Sequence, residues 1–78
     1  MNKVKLIGEI VYINDFEALK AIQFNLKVNR NIINCLCFIK TLKEIELKLN
    51  DIVEIVGEIG THKRNTEIRV KQIRKLND

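Results

Sequence analysis

Residues 51–75 read DIVEIVGEIGTHKRNTEIRVKQIRK, and the reading of this stretch decides the fold. Two runs, 52–59 and 67–73, are rich in β-branched residues alternating with charged ones, the pattern of strands that bury one face. A basic turn, Thr61-His62-Lys63-Arg64-Asn65-Thr66, joins them. Gly57 and Gly60 lie inside or at the end of the first run, not in the turn. Glycine in a strand marks a bulge or a sharp bend, which a sheet needs if it is to close on itself. The same hairpin carries the charge. The net charge is +4, and residues 1–61 hold eight Lys or Arg against eight Asp or Glu. Residues 62–78 hold six against two, so the whole excess sits here and points to a negatively charged partner.

Working outward, residues 41–49 (TLKEIELKL) change period. Leu42, Ile45 and Leu49 fall on one face of a helix, and Thr41 with Glu44 has the form of a capping box. Before it, 32–40 (IINCLCFIK) reads as a strand. So does 20–29 (KAIQFNLKVN), where Ile22, Phe24, Leu26 and Val28 alternate with Gln23, Asn25 and Lys27. Asn29-Arg30-Asn31 tolerates left-handed backbone and predicts a tight hairpin between them. Residues 3–13 (KVKLIGEIVYI), with Gly8 inside, form the first strand, and 14–19 a loop or a single helical turn. Five strands that must coil, with a short helix between the third and fourth, predict an all-β protein, a five-stranded OB-fold barrel. A flat sheet with a helix packed on one face is the alternative.

With 78 residues, the chain is expected to form one domain over 1–78. A core this small favours self-association. No apolar run reaches a membrane span and the start is too charged for a signal peptide, so a cytoplasmic protein without membrane contact is expected. Serine is absent and His62 is the sole histidine, so no serine-based triad can be assembled. Cys35, Cys37 and His62 are too few for a metal site, and the two cysteines share a strand face with Ile33 and Ile39, which makes them core residues. The expectation is a binding module, not an enzyme, with no cofactor and no metal.

Single-stranded nucleic acid is gripped by aromatic rings and cations. There are four aromatic residues, Tyr12, Phe16, Phe24 and Phe38. Phe24 lies on an apolar strand face and belongs to the core. Phe38 shares the opposite strand face from the cysteines, flanked by Asn34 and Lys40. It either stacks a base or is covered by the helix or a second subunit. Tyr12 and Phe16 border the first loop, as a second platform or as a plug for the barrel end. Arg69 and Lys71 stand on the solvent face of the last strand, whereas Lys63 and Arg64 sit at a flexible tip able to close over a phosphate backbone.

Taken in order, NKVKLIGEI, QFNLKVNR, INCLCFIK, LKLNDIVEIVGEI and TEIRVKQIRKL resemble the five strands of the bacterial single-stranded-DNA-binding protein family, over nearly the full chain. The chain is also similar to primosomal replication protein N around residues 57–66. The resemblance implies single-stranded DNA bound with little sequence preference, in replication, recombination or mobile-element DNA processing, by a homodimer or homotetramer that can meet replication proteins. It places Phe38 on a stacking position and Lys40 on a basic one. Ile32 and Arg64 fall where the family has further aromatics. The second–third strand hairpin, with Arg30 at its turn, is short, and no acidic tail follows Asp78, as in a tailless short form. The expected contact set is Phe38, Lys40, Lys63, Arg64, Arg69, Lys71, Tyr12, Arg30 and Asn34. A protein–protein adaptor or oligomerisation module, or a binder of single-stranded RNA, are the alternatives.

Overall fold

The computed structural model describes residues 3–77, the side chain of His62 excepted, so the expectation for His62 lies outside the described residues. Five strands run in the order β1 (Lys3–Phe16), β2 (Ala21–Val28), β3 (Asn31–Phe38), β4 (Ile52–His62) and β5 (Asn65–Lys75). A single turn of α-helix, α1 (Ile39–Leu42), follows β3, and a 3-10 turn, Glu17–Leu19, separates β1 from β2. They close into a barrel in the spatial order β1-β2-β3-β5-β4, antiparallel throughout except for the parallel β3–β5 seam. The sheet is closed, as the sequence predicts, and the flat alternative is excluded.

Closure rests on β1. Its first half pairs with β4 (Lys3 with Glu58 through Glu9 with Ile52) and its second half with β2 (Glu9 with Lys27 through Phe16 with Ala21). One strand can serve both neighbours only if it bends, and a bulge at Val11, between Ile10 and Tyr12, supplies part of that bend. Between β4 and β5 the register shifts at Val56–Gly57, where β5 carries one extra residue, Lys71, and a Cβ on Gly57 would lie 2.5 Å from the Arg69 carbonyl oxygen. No larger residue fits there, which is why the glycine lies in a strand.

The inward positions make the core: Ile10, Phe24, Leu26, Cys35, Cys37, Val53, Ile55, Ile68 and Val70, with Leu42 of α1 closing the end. Phe24, Leu26 and both cysteines are wholly buried, as their alternation predicts. Burial of a residue such as Phe24 contributes roughly 1.5–3 kcal/mol. Burial pushes the Cys35 thiol up to about 12, with the neighbouring Cys37 adding to it, and the Cys37 thiol up to about 11. Thiols so shifted are core atoms, not nucleophiles at neutral pH.

Three local expectations are corrected. The helix expected over 41–49 is one turn, with Phe38 as its N-cap and no side-chain cap, so the Thr41–Glu44 capping box does not form. The Lys43 backbone turns to φ 57 and stops the helix. The chain beyond is held to β1 instead: the Asn50 N–H donates to the Ile10 carbonyl (2.7 Å) and the Ile10 N–H to the Asp51 carbonyl (2.9 Å). Bonds to the barrel wall thus replace a second helical turn, and Leu49, placed on the helix face by its spacing, is exposed. Second, β3 ends at Phe38, so Ile39 and Lys40 belong to α1, and Ile39 is not a core residue. Third, the basic turn expected over 61–66 is shorter, with Lys63 and Arg64 at its tip as expected. β4 and β5 stay paired out to His62 and Asn65, and a two-residue turn, Lys63-Arg64, joins them with both residues at positive φ (51 and 70).

Asp51 is a structural residue that periodicity does not reveal. Its carboxylate accepts from the Lys48 N–H (2.8 Å) and faces the Lys75 ammonium at 3.3 Å. Burial alone would raise this carboxyl. The Lys48 hydrogen bond and the Lys75 and Lys48 charges outweigh it and hold the group below its ordinary value of 3.8.

Candidate nucleic-acid interface

Antiparallel register partners carry side chains on one face, so the pairings of β1, β2 and β3 define rows across the outside of the barrel. One row reads Phe16–Ala21–Phe38, the next Asn14–Gln23–Leu36, the next Tyr12–Asn25–Asn34. The parallel pairs Cys35–Ile68 and Leu36–Arg69 extend the face to β5 and put Glu67 beside Asn34. Aromatic, amide and charged groups from four strands therefore share one outer surface.

Three rings stand on it: Tyr12 at 48 % exposure, Phe38 at 46 % and Phe16 at 36 %. Phe38 is not covered by α1, which settles the alternative left by the sequence for the single chain. Ala21, fully buried, separates Phe16 from Phe38 in their row, two strand spacings or roughly 10 Å apart. Two recesses flank the rings. One, of about 300 Å³, is lined by Phe16, Leu19, Gln23, Asn34, Leu36 and Glu67. The other, about 290 Å³, is lined by Leu19, Lys20, Phe38, Ile39 and Lys40. Leu19, from the 3-10 turn, is common to both.

The polar groups of the first recess are ordered by one another. The Gln23 Nε2 donates to Asn34 Oδ1 (2.6 Å) and to Asn25 Oδ1 (2.9 Å), fixing three amides in a row. Glu67, only 7 % exposed, accepts from Arg69 Nε at 3.3 Å. Arg69 also donates to the Thr61 carbonyl oxygen (3.3 Å).

The expected contact residues divide accordingly. Tyr12, Asn34, Phe38 and Lys40 lie on this face or its rim, and Arg69 adjoins it, already engaged with Glu67 and Thr61. Lys71 is elsewhere, in a cleft with Thr41, Lys43 and Ile45 on the α1 side. Arg30 is at the β2–β3 turn, the opposite end of β3 from Phe38 and about 25 Å away along an extended strand. Lys63 and Arg64 form the β4–β5 tip. Among the described residues Lys63, Arg64 and Lys71 have no carboxylate within ion-pair distance, whereas Arg69 pairs with Glu67, Arg74 with Glu54 and Lys75 with Asp51. Half of the hairpin's cations thus serve the barrel itself. Sequence reasoning missed Leu19, Gln23, Leu36 and Glu67. The signal for Gln23 was its place on the polar side of β2, but the approach of Glu67 depends on the β3–β5 seam, which no local pattern encodes.

No protein-family model and no curated protein sequence matches the chain. Solved structures do. A replication protein A heterotrimer bound to ssDNA superposes with a TM-score of 0.79 at 10 % identity, over 100 % of this chain and 60 % of that one. This chain thus spans about three fifths of the length of the matched chain of that heterotrimer. The dimeric N-terminal domain of PriB from Thermoanaerobacter tencongensis gives 0.82 at 17 % identity, over 99 % and 98 % of the two chains. The hypothetical protein ygiW from E. coli gives 0.75 at 33 % identity, over 95 % of this chain and 74 % of that one. Strand order, bent first strand, short helix after β3 and these superpositions agree, and this chain belongs to the OB-fold proteins, with a barrel like those of PriB and replication protein A.

Proposed function

We propose that this protein binds single-stranded DNA through the outer face of β1, β2 and β3, as a binding module and not an enzyme, in replication, recombination or mobile-element DNA processing. The observation that carries this reading is the exposure of Tyr12, Phe16 and Phe38 on one strand face, with a hairpin tip beyond the far end of that face from Phe38 whose two cations meet no carboxylate among the described residues. Bases stack on such rings whatever their sequence, each at roughly 1–3 kcal/mol. Lys40 beside Phe38, and Lys63 with Arg64 at the tip, neutralise phosphates at the two ends of the face. The superposed replication protein A structure holds ssDNA, which supports the same use of the barrel here.

Self-association to a homodimer or homotetramer belongs to the same proposal. Ile7 and Val11 are exposed on β1, and the superposed PriB domain is dimeric. Sedimentation of the purified chain measures this directly.

The deciding experiment titrates labelled oligo-dT, oligo-rU and duplex DNA at low and at physiological salt. The expected result is binding to the single strands, DNA above RNA, with log affinity falling against log salt by about 0.7 for each phosphate contacted. Equal binding to duplex DNA, or no binding to any of the three, overturns the proposal. The second outcome favours a protein–protein adaptor.

A further inference from the structure

We infer that the recess between Phe16, Leu36 and Glu67 reads one base of the bound strand and prefers guanine to thymine. This rests on the proposed binding of single strands and adds to it a preference that a stacking platform alone does not have. Both N–H groups of Gln23 are directed at Asn25 and Asn34, so Gln23 offers the recess only its carbonyl oxygen. Asn34 receives the Gln23 bond on Oδ1 and keeps its amide N–H groups to give. Glu67 meets Arg69 through Oε2, and among the described residues no hydrogen bond engages its Oε1. The recess therefore presents a carboxylate and an amide oxygen as acceptors, with one amide donor beside them, between Phe16, Leu19 and Leu36 as apolar walls.

Bases answer this set differently. Guanine carries two adjacent donors, N1–H and N2–H, for the recess's two open acceptors, Glu67 Oε1 and the Gln23 carbonyl oxygen, and an O6 acceptor for the Asn34 amide. Thymine carries one donor flanked by two carbonyl oxygens, which a carboxylate repels. Cytosine and adenine, with one amino group each, fall between. Single-stranded bases are read on these edges because nothing pairs with them. The Glu67 side chain is nearly buried and its neighbour is fixed by the Gln23 bridge, so the acceptor does not swing away to suit another base.

The test uses an oligothymidylate host with one central base replaced in turn by guanine, hypoxanthine, cytosine or adenine. One well-placed two-bond contact gives roughly five- to hundredfold discrimination. The expected order is guanine first and thymine last, with hypoxanthine, which lacks the N2 amino group, losing much of the guanine gain. Glu67→Gln should then compress the guanine-to-thymine ratio and raise affinity for the all-thymine host. Equal affinity for all five strands, or a ratio unchanged by Glu67→Gln in a folded protein, overturns the inference while leaving single-strand binding intact. Failure to bind any strand overturns the broader proposal instead. The hypoxanthine comparison needs no variant, so the inference stays open to refutation if Glu67→Gln does not fold.

Discussion

The strand face and the hairpin tip differ in how much of the barrel each depends on. The face is assembled from β1, β2, β3 and β5, and its members are up to 55 residues apart, from Tyr12 to Glu67. The tip is two adjacent residues, Lys63 and Arg64, in a turn whose positive φ angles ordinarily call for Asn or Gly. A left-handed backbone costs an ordinary residue roughly 1–2 kcal/mol. Placing lysine and arginine there gives up turn stability for charge at the most projecting point of the hairpin. In the proposed binding mode the face supplies shape and base contact, and the tip supplies charge. Arg69 lies between them and is shared, tied to Glu67 on one side and to Thr61 on the other.

The most severe way to break this comparison is to remove the barrel beneath both regions. Phe24→Ala, at a wholly buried position, should cost roughly 3–5 kcal/mol, enough to unfold much of a domain this small. Chemical denaturation should show it, with Cys35 and Cys37 becoming open to alkylation as the transition proceeds. Because folding raises both thiols, stability should be flat through neutral pH and should fall above about 9, where the unfolded thiols ionise and the native ones do not.

Next in size, Phe38→Ala and Phe16→Ala should each weaken oligo-dT binding by roughly 1–3 kcal/mol while leaving the salt slope and the melting temperature nearly unchanged. A changed slope would mean that the ring orders a cation instead of stacking a base. The reverse pattern is expected at the tip. Replacing Lys63 by Asn and Arg64 by Gly should lower the salt slope by about 0.7 for each phosphate that the tip ceases to neutralise. The same double variant should raise stability by roughly 1 kcal/mol, since Asn-Gly suits this turn. Weaker binding together with higher stability separates a charge role from a structural one, and thermal melting beside titration measures both.

The smallest effect is expected at Asp51, which belongs to neither region. Its folded carboxyl titrates below its unfolded value of 3.8, so its contribution is complete above that pH and is lost as pH falls through the folded value. Asp51→Asn should remove that part of the acid dependence and leave the salt slope of binding untouched.

How much was legible in the sequence differs between the same two regions. The alternation in 20–29 placed Phe24 inside and Gln23 outside, and the parity of 32–38 set Cys35 and Cys37 against Asn34 and Phe38, because a strand's side chains alternate strictly. Gly57 in a strand announced an irregularity, and the β4–β5 register shifts beside it, with the extra residue, Lys71, on β5. The helix over 41–49 failed because its periodicity competed with backbone bonds from Asn50 and Asp51 to Ile10, forty residues away. The turn at 61–66 was drawn too long because strand pairing continues as far as the turn permits, and polar composition does not mark where it stops.

By itself the sequence determined the strands, the inward and outward faces, the presence of an irregularity near Gly57 and the location of the surplus charge. Each of these follows from the local period of the chain or from counting. Only the tertiary structure decided which outward residues meet. Barrel closure through the β3–β5 seam brought Glu67 to Asn34, and the bulge at Val11 left Tyr12 level with Asn25. It also divided the cations, engaging Arg69, Arg74 and Lys75 with carboxylates and leaving Lys63 and Arg64 at the tip. Such pairings are set by register across strands distant in sequence, and register is a property of the closed sheet, not of any segment within it.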